Sequence, residues 1–168
     1  MIEKFKTLFF VKSSLISLYL ALTIPIPFVS SEKLKVLSII TFVFGLFLII
    51  NITNDYVNTC DKKISYNTSF FSKIFGKNNW EIFWKDIKSI KSISTSQGSK
   101  VHYFITKKDK SFLVPQRVEN FQRLLSIVEN KTKLNTNEIT YISPLWTYKI
   151  LTYISVLMII GEIIAFII

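Results

Sequence analysis

The sequence predicts an α+β membrane protein: three transmembrane helices plus a small antiparallel β-barrel or sheet domain closed by a C-terminal amphipathic helix. Three observations lead there. Long runs without a charged side chain stand on both flanks of the chain. Charge is concentrated between them, where residues 55–138 hold fifteen Lys/Arg against eight Asp/Glu, +7 of the net +10. The apolar period also changes along the middle, from alternation to helical spacing after Pro115. With 49% apolar residues and a mean hydropathy of +0.37, the 168-residue chain is not composed like an ordinary soluble domain.

Residues 1–52 read as a transmembrane helical hairpin with spans at about 8–29 and 36–52. Ser13 to Val29 carries no charge, and Lys12 can extend its ammonium to the interface. A cleavable signal peptide is the rival reading. Pro25 and Pro27 end the run without a small-x-small cleavage site, and a second apolar run follows at once, so retention is expected. After SSEKLK, Val36 to Ile52 is again free of charge, and at ~1.5 Å per residue each run approaches the ~30 Å of hydrocarbon. Residues 139–168 form the third span. Ser143 and Pro144 suit a helix start, and Trp146, Tyr148, Tyr153 and Lys149 suit a headgroup boundary.

Residues 53–138 form the middle domain. Tyr56–Cys60 and Ile64–Thr68 read as strands around Asp61–Lys63, and residues 69–79 as a loop or irregular edge. Trp80, Ile82 and Trp84 alternate with Glu81 and Phe83 as a half-buried strand. Ile87, Ile90 and Ile93 recur every three residues, which predicts a turn or bulge near Lys88 leading into a strand. Residues 96–99 make a hairpin turn in which Gly98 is free to take positive φ. Lys100–Lys107 and Ser111–Val114 follow as strands, six in all, until Pro115 ends the pairing. Val118, Phe121, Leu124, Leu125 and Val128 then share one helical face.

Charge sets the expected topology. Lys4, Lys6 and Lys12 precede the first span against Lys33 and Lys35 after it, and the middle domain is basic. The N-terminus and middle domain are therefore expected in the cytoplasm, with the C-terminus on the far side. The Asn-x-Ser/Thr triplets at Asn51, Asn67 and Asn130 then have no role.

Catalytic, cofactor and metal sites are not expected. His102 and Cys60 are single representatives of their types and fall on separate strands; no carboxylate cluster or glycine-rich phosphate loop accompanies them. The candidate binding residues are the loop lysines Lys62, Lys63, Lys73, Lys77, Lys107, Lys108 and Lys110, which would face anionic lipid or a partner, or are simply solvated turns. Nucleic acid is not an expected partner, because no platform interleaves aromatic and basic side chains. Glu162 is the intramembrane oddity. Lys33 or Lys35 is its expected partner, with Gly161 and Ala165 permitting close helix approach in a packing role.

Trp84-Lys85-Asp86-Ile87 with Ile90, the Gly98 hairpin, and Phe112–Pro115 running into the helix carry a resemblance. This part of the chain, about 53–134, resembles the pleckstrin-homology-like domains of bacterial membrane proteins. That fold has seven strands where six are named here, and its bacterial members commonly sit beside paired transmembrane helices. The resemblance implies a non-catalytic binding or scaffold module engaging protein partners, in another membrane protein or a second copy, at the cytoplasmic surface. The alternative is a sensor of anionic headgroups. A more distant likeness is to the photosystem I assembly protein, which also places two helices before a soluble domain. That would make the chain an assembly factor for a membrane complex; a transporter or enzyme subunit is the remaining reading.

Overall fold

The computed structural model describes residues 2–96 and 98–168. In chain order the elements are β1 (Glu3–Lys6), α1 (Phe9–Thr23), α2 (Pro25–Val29), α3 (Glu32–Ile52), β2 (Tyr56–Thr59), β3 (Lys63–Asn67), α4 (Phe70–Ile74), β4 (Trp80–Phe83), β5 (Ile87–Ser94), β6 (Lys100–Thr106), β7 (Ser111–Leu113), α5 (Phe121–Thr132) and α6 (Leu145–Ile167). They form two compact units: residues 2–8 with 54–144, and residues 9–53 with 145–168. The sheet unit thus draws on both sides of the helical hairpin, and includes residues 2–8 and 139–144.

Among the described residues three helices, all in the helical unit, are long and apolar enough to cross a membrane: Phe9–Val29, Glu32–Ile52 and Leu145–Ile167. Pro25, fitting the first turn of α2, separates it from α1. The polar residues Glu32, Lys33 and Lys35 form the first turn of α3, with Glu32 suitably placed at the positive end of the helix dipole. No residue of α3 is buried, although the helix is apolar all round, a surface that suits hydrocarbon better than water. α1 packs against both α3 and α6. Ser14, Ser17 and Ala21 line its buried face, and both hydroxyls return to their own helix, at Val11 O (3.1 Å) and Ser14 O (3.3 Å).

Close approach in this unit comes from a glycine other than the expected one. A Cβ on Gly45 would run into the Tyr19 ring, whose hydroxyl donates to the Phe42 carbonyl at 2.7 Å. A Cβ on Gly161 would meet open space, so Gly161 is not the point of close helix approach.

Among the described residues the sheet unit holds seven strands in two antiparallel sheets, ordered β1-β2-β3-β4 and β5-β6-β7, and not one closed barrel. β1 is the strand that sequence reading did not name. Glu3–Lys6 pairs with β2 in the register Glu3↔Thr59 to Lys6↔Tyr56, across the whole helical hairpin. Phe5 is its inward residue, 4% exposed, and joins the core cluster with Val57, Ile64, Phe104 and Phe121. The strand after Phe83 is interrupted by a short 3₁₀ turn at Trp84–Asp86, and the β5–β6 register shifts between Ile87 and Ser89. The expected irregularity near Lys88 is therefore a register shift within β5, and the 3₁₀ turn before it carries the chain from one sheet into the other. Gly98 has φ +76°, and Thr95 N–H closes the hairpin onto the Ser99 carbonyl at 2.7 Å; Gln97 lies outside the described residues.

α5 carries the expected apolar face. Phe121, Leu124, Leu125 and Val128 are each 3% exposed or less, and at ~1.5–3 kcal/mol per buried side chain they are a principal source of core stability. Val118 is equally buried but precedes the helix, where it bridges to Thr7. Trp80 ties the two sheets together, with its ring 5.9 Å from Tyr66 in the first, and 6.2 and 5.7 Å from Phe104 and Phe112 in the second.

Candidate functional site

Two ends of the sheet unit can be told apart by the hydrogen bonds at each. At one end the chain passes to and from the helical segments. Thr7 donates its N–H and its hydroxyl to the Asp55 carbonyl (3.3 and 2.8 Å), Leu8 N–H donates to Arg117 O, and Glu119 N–H donates to Lys6 O. Tyr141 packs its ring 5.1 Å from Phe121 close by, three residues before the unit ends at Pro144. Residues 8, 54 and 144 therefore leave the unit from the same end, called the tethered end below.

The tethered end is organised by Asp55, a residue that sequence reading passed over. Its side chain is 5% exposed, and both carboxylate oxygens are doubly used. Oδ1 accepts from Ser69 N–H (3.0 Å) and Ser72 Oγ (2.8 Å). Oδ2 accepts from Tyr66 Oη (2.9 Å) and Lys77 Nζ (2.8 Å). Burial by itself would raise the carboxyl pKa, but the Lys77 ammonium and the Ser69 and Ser72 donors more than offset it. The group is held below the ordinary carboxylate range. The Tyr66 hydroxyl is pushed well above its usual value by burial and by the Asp55 charge. A buried carboxylate with four donors is a satisfied structural node.

What Asp55 holds is the segment that was expected to be a loop. Ser69 caps α4, accepting from Ser72 N–H at 3.2 Å, while Gly76 takes φ +83° and the chain turns back towards β4. Phe70, Ile74 and Phe75 are 72, 64 and 64% exposed, with Lys73 among them. Such exposure of three large apolar side chains in six residues is unusual for a domain surface.

At the opposite end lie the β2–β3 turn, the Trp84–Asp86 corner and the β6–β7 turn. Trp84 N–H donates to Lys62 O at 3.0 Å, Trp84 Nε1 to Cys60 O at 2.8 Å, and Lys107 N–H to Asp86 O at 2.9 Å. The seven candidate lysines are therefore not one surface. Lys62, Lys63, Lys107, Lys108 and Lys110 share this free end, whereas Lys73 and Lys77 belong to the tethered end, a β3–β4 hairpin of roughly 13–16 Å away. Lys63 is engaged with Glu81 at 2.6 Å and Lys77 with Asp55. Beside the free end a shallow depression is lined by Glu3, Cys60, Asp61, Arg123 and Lys131. Its charges are matched, Arg123 with Glu3 at 2.9 Å and Lys131 with Asp61 at 3.2 Å.

Cys60 and His102 are not brought together. Cys60 sits at the β2–β3 turn, whereas His102 pairs with Ser92 in the second sheet, five residues along β5 from the corner. His102 is fully buried, with Nδ1 2.8 Å from Ser92 Oγ and, among the described residues, no hydrogen-bond partner for Nε2. Burial, reinforced by Lys100, pushes its pKa down, so it is a neutral core side chain at neutral pH. Among the described residues no three His, Cys, Asp or Glu side chains converge as a metal site. Glu162 also departs from expectation. No ion pair joins it to Lys33 or Lys35 among the described residues, and its buried Oε2 has no hydrogen-bond partner.

No family model matches the sequence. The chain is 30% identical over 147 residues to an uncharacterised protein of the cyanobacterium Synechocystis sp., covering 84% of this chain and 74% of the relative. The two belong to one family. The unmatched 16% is smaller than either structural unit, so the shared sequence reaches into both of them.

Proposed function

We propose that the protein is a membrane-anchored, non-catalytic binding module whose pleckstrin-homology-like domain presents a basic end to a protein partner at the cytoplasmic surface. One observation carries this reading: all three chain connections leave the domain at its tethered end, while Lys62, Lys107, Lys108 and Lys110 lie at the other. Lysines at the end of the unit opposite its chain connections suit acidic side chains of a partner better than lipid headgroups. Seven strands arranged as four and three, with a closing C-terminal helix, support the pleckstrin-homology-like assignment. Three apolar helices support the anchor, and the excess of lysine in the domain supports a cytoplasmic location.

The experiment is site-specific photocrosslinking in native membranes. A crosslinker replacing Lys107 or Lys110 should yield a discrete protein adduct, and charge reversal at Lys62 and Lys108 should abolish it while leaving the protein in the membrane. Adducts to lipid alone from those positions would overturn the partner reading.

A further inference from the structure

We infer that residues 70–77 form an interfacial wedge, with Phe70, Ile74 and Phe75 entering the headgroup–acyl boundary of an anionic bilayer and Lys73 meeting its phosphates. The inference rests on the membrane-anchored reading above and adds to it a second, local contact with lipid. Three features select lipid as the occupant. Chain length is the first: Asp55 follows the last residue of α3, Ile52, by three residues, so at most about 10 Å of chain separates them. The Asp55 carboxylate grips Ser69, Ser72 and Lys77 directly, so the wedge stays close to where that span meets the interface.

The second feature is chemistry. Two phenylalanines and an isoleucine, more than half exposed, flank the exposed Lys73, the combination that lies in a bilayer interface with apolar groups down and ammonium at the phosphates. The third is shape. The segment is a single short helix ended by Gly76 at φ +83°, a projecting tip and not a groove that a partner helix or strand would fill. The Asp55 node then has a purpose. A wedge of five helical residues cannot hold itself together in water, and three hydrogen bonds to one buried carboxylate, from Ser69, Ser72 and Lys77, keep it formed before it meets lipid.

Depth-dependent quenching on the full chain tests this. Cys60, the single cysteine, is replaced by Ser, and an environment-sensitive fluorophore is attached in turn at Ile74→Cys, Phe75→Cys, Lys108→Cys and Leu157→Cys. Each protein is reconstituted in phosphatidylcholine–phosphatidylglycerol vesicles containing lipid with a nitroxide near the top of the acyl chain. The expected result is blue-shifted, quenched emission at 74 and 75, quenching at 157 in α6, and aqueous, unquenched emission at 108. Quenching at 157 with aqueous emission at 74 and 75 overturns the wedge and leaves the anchor standing. Blue-shifted but unquenched emission at 74 and 75 also overturns it, because protein then covers the segment. Absence of quenching at 157 overturns both readings.

Discussion

Replacing Asp55 with alanine is the most informative single perturbation, because it removes one acceptor from four donors at once. Lys77 is about half exposed and returns to water at a cost of ~0–1 kcal/mol. Ser72 is fully buried, and the Ser69 N–H and Tyr66 hydroxyl are only partly accessible, so these three lose charge-assisted bonds of ~1.5–3 kcal/mol each. Such losses are not additive, and the burial cost of the carboxylate is recovered. The net destabilisation is then ~3–5 kcal/mol, and the melting temperature of a domain this size should fall by more than about 10 °C. Asp55→Asn keeps Oδ1 for Ser69 and Ser72 and should cost only ~1 kcal/mol. The assay is denaturation of the full chain in detergent, read by Trp80 and Trp84 emission, with amide exchange of residues 68–79 as the local readout. Asp55 also predicts a pH dependence. Its folded pKa lies below the unfolded value of ~3.9, so its contribution is complete above about pH 4 and is lost as pH falls through the folded pKa. The alanine variant should lack that acid loss. An Asp55→Ala protein with unchanged melting and undiminished protection of residues 68–79 would refute the node.

Two further outcomes follow from the core. Phe5→Ala should destabilise the sheet unit by ~3–5 kcal/mol in the same denaturation assay, because Phe5 is a core residue; a surface-like effect below ~0.5 kcal/mol would mean that β1 does not pair with β2. His102 predicts acid sensitivity at a milder pH. Its folded pKa lies below the unfolded value of ~6.5, so stability is lost as pH falls below about 6.5 and levels off beneath the folded pKa. His102→Gln should flatten the stability profile between pH 7 and 5, and an unchanged slope there would place the titration elsewhere.

Local signals made some of this structure legible in the residues themselves. The three apolar helices follow from long uncharged runs, the buried face of α5 from spacing at three and four residues, and the register shift near Lys88 from isoleucines that break the strand period. Each is a pattern within one segment, and burial of that segment enforces it. β1 carried no such pattern: four residues with two lysines look like the basic flank of a span, and their partner strand is fifty residues away. Asp55 carries no local signal either, because its donors come from positions 66, 69, 72 and 77 and meet only when β2, β3 and α4 are in place.

The same division separates what the sequence by itself determined from what tertiary structure decided. Composition and period are properties of neighbouring residues, so the long apolar helices, the basic middle and the amphipathic helix α5 could be read directly. Which lysines share a surface depends on strand pairing over long loops. Only the folded sheets send Lys62, Lys107, Lys108 and Lys110 to the free end, and leave Lys73 beside three exposed apolar side chains at the tethered one. A charge count cannot distinguish those two ends, because the Coulomb and hydrophobic contacts that separate them act through space and not along the chain.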